Sequence, residues 1–210
     1  MVNLDWATLI PWINFTVMIV ATLFMFYFYM QSARPAQLEK KIGDIAYKKC
    51  GQYRIIASVF ELLVVANYVV YSYYPLPLGI PLTFPWPYTI SIIVAIIIGV
   101  PSAYLMLRGV LDAGEESLLP KKKHKLYGGI YKRIRHPQSM GELPLWWVLS
   151  LLLNSPFLAL YSIIWIPIFV AMCLAEEKDL LIRYGDKYAE YQEHTGFFIP
   201  KRKPRKERSK

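Results

Sequence analysis

The sequence predicts an all-α integral membrane protein with five transmembrane helices, the last two forming a helical hairpin, and a carboxyl-terminal amphipathic helix on the membrane surface. Three observations predict this class. Hydrophobic residues make up 55% of the 210 residues and aromatic residues 15%, whereas charged residues make up only 19%. The apolar residues are gathered in long runs, and the basic residues lie between alternate runs. Soluble domains contain a larger share of charged residues, so we expect a membrane protein.

Five apolar runs are candidate membrane spans, at residues 8–30, 55–74, 88–107, 139–153 and 157–174. A helix crosses a bilayer with about 20 apolar residues, within a range of about 17–25, and the first three runs satisfy this requirement. The last two are shorter and are separated only by residues 154–156. We therefore expect a tight hairpin whose arms are kinked by Pro144 and Pro167, with neighbouring helices satisfying the carbonyls that the prolines leave free.

The positions of the 24 Lys and Arg residues predict the topology. Six lie between the first and second runs, eight between the third and fourth, and ten after the fifth, so the amino terminus and the other two connections contain none. Because cytoplasmic loops are enriched in Lys and Arg, we expect the amino terminus outside and the carboxyl terminus in the cytoplasm. This topology and attraction to anionic lipid headgroups explain the net charge of +9, and no nucleic-acid partner is expected. The first run lacks the flanks of a cleaved signal peptide and is predicted to be retained.

After the fifth run, apolar and charged residues follow each other with helical spacing. The apolar face is formed by Leu180, Leu181, Tyr184, Tyr188 and Tyr191. This pattern predicts an amphipathic helix that lies on the membrane or folds over the helix bundle. Gly185 is expected to break or bend this helix, and Gly196 to end it. Asp179 and Arg183 are four residues apart and are expected to form an ion pair.

Arg135, His136 and Glu176 are the side chains most suited to carry chemistry. The hairpin places the loop before the fourth run beside the end of the fifth run, so we expect these side chains to meet at the cytoplasmic face. Two interpretations of each remain open. Arg135 is either a headgroup anchor or part of a site, and His136 is either structural or catalytic. Glu176 and Glu177 either begin the surface helix in solvent or form a carboxylate site, and the residues four positions further on are leucines, which cannot pair with them.

Two polar residues, Glu61 and Asn67, lie inside a predicted span. An ionisable residue at membrane depth indicates a functional or partner-binding role, although Glu61 is also able to pair with a basic residue. Glu142 lies at the start of the fourth run, close to Arg135 in sequence. It is expected either to pair with Arg135 or to contact a substrate.

The carboxyl-terminal part of the chain resembles a known family of membrane methyltransferases. Three blocks carry the resemblance, in the order HKLYGGIY, RHPQSMGE and EEKDLLIRYGDKYAEYQEHTGFFIP, with the predicted hairpin between the second and the third. They are similar to the isoprenylcysteine carboxyl methyltransferases, and phospholipid N-methyltransferases share parts of the pattern. The resemblance extends over residues 124–200, whereas the amino-terminal half matches only in having helices.

The resemblance implies an enzyme that transfers the methyl group of S-adenosyl-L-methionine to a lipophilic acceptor from the bilayer. The residues that it implies for cofactor binding are His124, Leu126, Tyr127, Tyr131, His136, Pro137, Gln138, Ser139, Glu176 and Glu177. Arg135 and Glu176 are implied as catalytic, with Arg135 orienting the reacting groups or balancing substrate charge, and no metal is implied. Methyl transfer from a sulfonium depends mainly on holding the acceptor in line, and positioning can contribute about 7–11 kcal/mol.

These expectations divide the chain into three regions. Residues 1–115 are expected to form a three-helix membrane region, residues 116–200 the cofactor-binding loop, hairpin and surface helix, and residues 201–210 a basic disordered tail. Substrate contacts are expected among Glu61, Asn67, Glu142 and Met172.

Two residues depart from the pattern of the family that the chain resembles. Ser139 stands where the family has a tyrosine, and Met172 stands where the eukaryotic members have an arginine that meets the substrate. The loop between the first two blocks is also one residue shorter than in those members. An apolar residue at Met172 counts against a prenylcysteine carboxylate as substrate. It leaves open a phospholipid amine, another carboxyl lipid, a quinone-like molecule or a small apolar compound.

Two other functions compete with this interpretation. One is an NADPH-dependent membrane reductase of the sterol-reductase type, in which residues 121–123, all lysines, would meet the 2′-phosphate. The other is a non-catalytic lipid-binding membrane protein with the same fold, for which Ser139 and Met172 are the best support. The acceptor atom and the oligomeric state are not predicted by the sequence.

Overall fold

A computed structural model describes residues 6–117, 119–120 and 128–201. The helices in this part of the chain are α1 (Trp6–Ser32), α2 (Pro35–Ile42), α3 (Ile45–Tyr73), α4 (Tyr88–Ala113), α5 (Pro137–Glu142), α6 (Leu145–Leu152), α7 (Pro156–Tyr161), α8 (Trp165–Tyr184) and α9 (Asp186–His194). Short 3₁₀ helices lie at Gly114–Ser117, Gly129–Lys132 and Ser162–Ile164. The described residues form no β-strand, and one isolated backbone bridge joins Ile134 to Gly196. The all-α prediction is confirmed.

Four helical stretches of the described chain are long and apolar enough to cross a membrane: Leu9–Ser32, Ile45–Tyr73, Tyr88–Ser117 and Pro156–Tyr184. They include four of the five predicted runs. The count of five is not confirmed, because the predicted span at 139–153 is not one continuous helix. Helix α5 ends at Glu142 and α6 begins at Leu145. The break falls at Pro144, which has no N–H with which to continue the helical hydrogen bonds.

The predicted tight turn of the hairpin is confirmed between α6 and α7. Asn154 adopts a left-handed conformation with φ of 51°, and the Ser155 N–H donates to the Ser150 carbonyl at 3.0 Å. This arrangement ends α6 in the manner of a Schellman motif. The Ser155 hydroxyl then caps α7 by accepting from the Leu158 N–H. A 3₁₀ turn at Ser162–Ile164 lies between α7 and α8, and Pro167 lies in the first turn of α8, so a kink at Pro167 stays a prediction.

Aromatic side chains hold α3 against the hairpin. The rings of Trp146 and Trp165 stack with centroids 3.9 Å apart, and the Trp165 indole N–H donates to the Tyr68 hydroxyl at 3.1 Å. That hydroxyl also hydrogen-bonds Ser162, at 3.2 Å. Since buried aromatic residues with satisfied polar atoms add both area and specific geometry, this cluster fixes the position of the hairpin relative to α3.

Close packing of α5 on α4 fixes the start of the hairpin. Gly141 lies so near α4 that a Cβ there would overlap the backbone at Ser102 and Met106. At the same end of the bundle, α1 packs along α3, and α2 lies between α3 and α8. These contacts bring the segment before α5 and the carboxyl-terminal part of α8 to the same end of the bundle.

The predicted surface helix is divided into two helices. Gly185 has φ of 56°, a conformation that glycine adopts without strain, and it ends α8 at Tyr184 before α9 begins at Asp186. The break that was expected at Gly185 is therefore confirmed. Helix α9 ends at His194 with Thr195 as its C-cap, and Gly196 follows the cap directly, as expected of a glycine that stops a helix. Leu180 and Tyr188 are buried, whereas Leu181 is exposed.

Candidate functional site

A polar cavity lies where the ends of α1, α3 and α8 meet the segment that precedes α5. Its described lining residues are Tyr29, Ser32, Ala33, Pro35, Arg54, Ala113, Glu116, Ser117, Pro120, Tyr131, Arg135, His136, Gln138, Ser139, Glu176, Asp179, Leu180, Arg183, Tyr188 and Tyr191. The cavity has a volume of about 80 Å³. Acidic, basic, aromatic and amide side chains therefore share one small enclosed space at the end of the bundle.

Glu176 reaches into this cavity from α8. Its Oε1 atom accepts from the Tyr29 hydroxyl at 2.9 Å and pairs with the Arg54 guanidinium at 3.1 Å. The other oxygen, Oε2, is 3.9 Å from Nδ1 of His136. The Glu176 side chain remains 25% exposed, so one face of the carboxylate is open to the cavity.

Glu177 points away from the cavity and is surrounded by donors. Its Oε1 atom lies 2.6 Å from Nε of Arg135 and 2.9 Å from Nε2 of His136. Its Oε2 atom accepts from the Gln192 side-chain amide at 2.8 Å. The side chain is 8% exposed, so the carboxylate is buried and fully engaged within the protein.

Arg135 joins α8 to the end of α9. Besides Glu177, its guanidinium donates to the carbonyls of Gln192, at 3.1 Å, and Thr195, at 2.5 Å. The backbone repeats the connection, because the Arg135 N–H donates to the Gly196 carbonyl at 2.8 Å. A guanidinium beside the last carbonyls of a helix satisfies groups that have no intrahelical partner. In this structure Arg135 lines the cavity and at the same time holds α9 in place.

Asp179 holds α2 against α8. Its Oδ1 atom accepts from the backbone N–H groups of Ala36, at 2.9 Å, and Gln37, at 3.3 Å. The predicted ion pair between Asp179 and Arg183 is replaced by other partners, because Arg183 pairs with Glu116 at 2.6 Å. The free N–H groups of a helix start are strong donors to a carboxylate, which explains why tertiary contact prevails over the helical spacing.

Among the buried polar atoms of the described lining residues, Nε2 of Gln138 and Oδ2 of Asp179 make no hydrogen bond within the described part of the chain. One is a donor and the other, when ionised, an acceptor. Buried polar groups in native structures nearly always find a partner. These two atoms and the open face of Glu176 belong to residues that line the same cavity.

Three tyrosines close the cavity from the α9 side. The Tyr191 hydroxyl donates to the Tyr131 carbonyl at 2.6 Å, and burial raises the pKa of Tyr191 to about 12. Burial, with the charge of Glu176 as the next cause, also raises the pKa of Tyr131. Burial likewise raises the pKa of Tyr188, and the Glu177 charge adds to the shift. All three phenols therefore stay neutral at physiological pH and present apolar rings with polar edges to the cavity.

The structure brings together six of the residues predicted for the site. Those that line the cavity are Tyr131, Arg135, His136, Gln138, Ser139 and Glu176. Pro137 is buried at the first position of α5, and Glu177 lies behind His136. His124, Leu126 and Tyr127 lie outside the described residues. Their binding and catalytic roles stay predictions.

The four predicted substrate residues are not part of this lining. Met172 is packed in the apolar core, and Asn67 hydrogen-bonds the Leu63 carbonyl within α3. The carboxyl groups of Glu61 and Glu142 are neighbours. Among the described residues, the expected pairing of Glu142 with Arg135 is not found, and neither is a basic partner for Glu61.

Tyr29 and Arg54 are site residues that the sequence did not identify. Arg54 was counted as a loop charge because the predicted span began at residue 55, whereas α3 begins at Ile45. The guanidinium also donates to the Ser117 carbonyl at 3.1 Å and lies over the Tyr29 ring, 5.3 Å from its centroid. A basic residue directly before a long apolar run was the signal that could have identified it.

The fold and this cavity are those of a helical membrane protein with a charged cavity at one end of its bundle. Residues 85–187 match the model of the phospholipid methyltransferase family. The match confirms the family resemblance of the sequence over this segment. The match begins near the start of α4 rather than at residue 124, so it includes a helix that was expected to match only in being helical.

Two curated proteins are similar to part of the chain. Methanethiol S-methyltransferase 1 of Bradyrhizobium diazoefficiens is 32% identical over 90 residues, which are 43% of this chain and 30% of that protein. Methanethiol S-methyltransferase of Pseudomonas deceptionensis is 38% identical over 72 residues, which are 34% of this chain and 26% of that protein. The matched part spans less than a third of the length of either relative. No solved structure matches the chain significantly.

Proposed function

We propose that this protein is an integral-membrane methyltransferase that uses S-adenosyl-L-methionine and methylates a lipophilic or small apolar acceptor. The observation that carries the proposal is the open face of Glu176 in a cavity at the end of the membrane helices, within the segment that matches the family. A carboxylate there suits a cationic methyl donor. The same cavity contains no charge relay of the serine-hydrolase kind among its described lining residues, and in-line methyl transfer does not need one.

The residues of the cavity fit such a donor in chemical type. Glu176 and Asp179 supply carboxylate oxygens for an ammonium or ribose hydroxyl group, and Arg54 supplies a cation for a carboxylate. The unpartnered Gln138 amide supplies a donor, and the rings of Tyr131 and Tyr188 supply apolar area. S-adenosyl-L-methionine would contribute the reactive methyl group, and the chain would orient it and exclude water.

Binding of a nucleoside requires the cavity to enlarge. Its volume of about 80 Å³ is below the roughly 300–1,000 Å³ of pockets for drug-sized ligands. The ion pair between Arg54 and Glu176 crosses the cavity, so it is the contact that we expect to open. Arg54 would then turn from Glu176 to the carboxylate of the donor.

The acceptor and the membrane arrangement are part of the proposal. The names of the two curated relatives favour a thiol as the first acceptor to test, with phospholipid amines, carboxyl lipids and quinone-like molecules after it. We propose that α5 and α6 together make a fifth, proline-broken crossing and that α9 lies at the membrane surface. The distribution of basic residues supports a cytoplasmic cavity and carboxyl terminus. The proposal includes a membrane region at residues 1–115, a methyltransferase-like core at residues 116–200 and a basic tail at residues 201–210.

The test is binding of S-adenosyl-L-methionine to the detergent-purified chain by isothermal titration, with NADPH as the competing ligand. Glu176→Gln is expected to weaken binding at least about tenfold, since hydrogen bonds to charged groups contribute about 1.5–3 kcal/mol. Glu190→Gln is the matched control, because it makes the same charge change on an exposed side chain of α9. It is expected to bind as the unaltered protein does.

Each other outcome contradicts the proposal in a distinct way. Saturable NADPH binding without S-adenosyl-L-methionine binding would support the reductase instead. Binding of neither would support a non-catalytic lipid-binding protein. Donor binding that is equally weakened by both substitutions would move the site away from Glu176. With donor binding established, formation of S-adenosylhomocysteine in the presence of methanethiol or a lipid amine then identifies the acceptor class.

A further inference from the structure

A second, larger groove lies on the other side of the segment that precedes α5. Its walls include Tyr104 and Leu105 of α4, Ile130 in the 3₁₀ turn, Met140 of α5 and Phe198 near the carboxyl end. Its volume is about 660 Å³. Among the described lining residues, none is shared with the polar cavity. The groove is therefore a separate space with mainly apolar walls.

Two arginines stand at this groove, Arg108 on α4 and Arg133 after the 3₁₀ turn. Asp112 holds Arg108 in place at 3.0 Å and also accepts from the Ile130 N–H at 2.8 Å. Arg133 is exposed and makes no ion pair or side-chain hydrogen bond with the described residues. Asp112 thus orients the Arg108 guanidinium, and the Arg133 guanidinium is available for an anion.

The order of the arginines and the apolar side chains along α4 matches that of a membrane interface. Arg108 lies in the last two turns of α4, which belongs to a candidate membrane span. Tyr104 comes earlier in the same helix, about 6 Å along the helix axis at 1.5 Å of rise per residue. The exposed side chains of Leu107 and Leu111 on the same helix face the surroundings. Cationic groups above an apolar wall at the end of a membrane helix are complementary to an anionic headgroup above acyl chains.

We propose that this groove binds one anionic phospholipid, with its phosphate at Arg133 and Arg108 and its acyl chains along Tyr104, Leu105 and Met140. The guanidinium fork of Arg133 matches phosphate oxygens in a two-point geometry that an ammonium cannot reproduce. A lipid in this groove would rest against the 3₁₀ turn whose other side contributes Tyr131 to the polar cavity. The site is distinct from that of the proposed methyl donor, and its occupancy does not depend on catalysis.

The test measures binding of phosphatidylglycerol with a fluorescent acyl chain to the full-length chain in detergent, without a methyl donor. Arg133→Gln is expected to weaken binding at least about tenfold, as loss of a charge-assisted contact predicts. Lys132→Gln is the matched control, because Lys132 is the neighbouring exposed cation and is not a lining residue of the groove. We expect less than about a threefold effect from it, the range of a surface charge.

A second variant and two competitors test the apolar walls. Leu105→Trp is expected to weaken binding by filling the groove while leaving both arginines in place. Unlabelled phosphatidylglycerol should displace the probe, whereas phosphatidylcholine and the chain-free headgroup glycerophosphoglycerol should not. Thermal unfolding of each variant is measured alongside to show that it remains folded.

Three results would overturn the proposal. Equal weakening by Arg133→Gln and Lys132→Gln would reveal general attraction to a basic surface and no site. Equal competition by phosphatidylcholine would reveal an apolar groove without headgroup recognition. Absence of saturable phosphatidylglycerol binding to the unaltered, folded protein would remove the site altogether.

Discussion

Glu176 and Glu177 are neighbours in sequence but meet different surroundings. Glu176 opens toward the polar cavity with its side chain 25% exposed, whereas Glu177 is 8% exposed and bound by Arg135 and His136. Successive residues of a helix point about 100° apart, because an α-helix has 3.6 residues per turn. His136 lies between the two carboxylates, with one ring nitrogen toward each. The position of the pair at the wall of the cavity therefore leaves the Glu176 carboxylate open to the cavity and encloses that of Glu177 among donors from the protein.

Glu177→Gln is expected to destabilise the protein much more than Glu176→Gln. The first change leaves the buried Arg135 guanidinium without a counter-ion, and breaking a buried pair costs about 3–5 kcal/mol. For Glu176→Gln we expect a loss of about 1 kcal/mol or less, the range of a partly exposed pair. Chemical unfolding in detergent, monitored by tryptophan fluorescence, measures both. Similar losses of stability would show that the two carboxylates are not divided into ligand contact and support.

Arg135→Lys is expected to loosen the carboxyl-terminal segment. One ammonium cannot reach the Glu177 carboxylate and the carbonyls of Gln192 and Thr195 in the geometry of the guanidinium. We expect a loss of about 1–3 kcal/mol and faster amide hydrogen exchange at residues 192–197. Arg133→Lys, on an exposed side chain, is the control and should leave both quantities unchanged. Unchanged exchange in Arg135→Lys would show that backbone contacts alone hold this segment.

Asp179→Ala is expected to lower stability by about 1–2 kcal/mol, as removal of a helix cap does. The change leaves the Ala36 and Gln37 N–H groups at the start of α2 without their acceptor. Asp186→Ala removes an exposed carboxylate from the first turn of α9 and should cost less. The comparison is made by thermal unfolding. An equal effect of the two substitutions would contradict the capping role of Asp179.

Gly129→Ala is expected to destabilise the turn before α5. Gly129 has φ of 57°, and an added Cβ would overlap the Asp112 carboxylate. The left-handed conformation alone costs about 1–2 kcal/mol for an alanine, and displacement of Asp112 adds to this loss. Gly128→Ala is the matched control, since φ is −98° there and no atom lies within 4 Å of the added Cβ. Equal stability of the two variants would show that the position of the Asp112 carboxylate does not require a glycine at residue 129.

Several features could be predicted because they depend on local chemistry. The first three spans follow from the length of their apolar runs, and the hairpin turn follows from residues that end and begin helices. The break at Gly185 was likewise expected. The motif residues near Arg135 and Glu176 were predicted to meet because a hairpin brings its two ends together. That expectation depended on topology rather than on any side-chain distance.

Other features required the tertiary structure. Arg54 and Tyr29 belong to helices distant in sequence, so no spacing along the chain predicts their contact with Glu176. Arg183 pairs with Glu116 and not with Asp179, which is nearer in sequence. The reason is that the N–H groups at the start of α2 are better donors to Asp179. The fourth predicted span proved to be two short helices, since the apolar composition of 139–153 does not reveal where Pro144 stops the hydrogen bonding.

The sequence by itself determined the class of protein, its apolar helices and the family pattern of its carboxyl-terminal part. These properties depend on composition and on residues close together in the chain. Only the tertiary structure decided which carboxylate opens to the cavity, which arginine crosses it and which polar atoms lack a partner. The physical reason is that burial and ion pairing are set by neighbours from separate helices, and packing of the aromatic core around Tyr68 and Trp165 fixes where those helices meet.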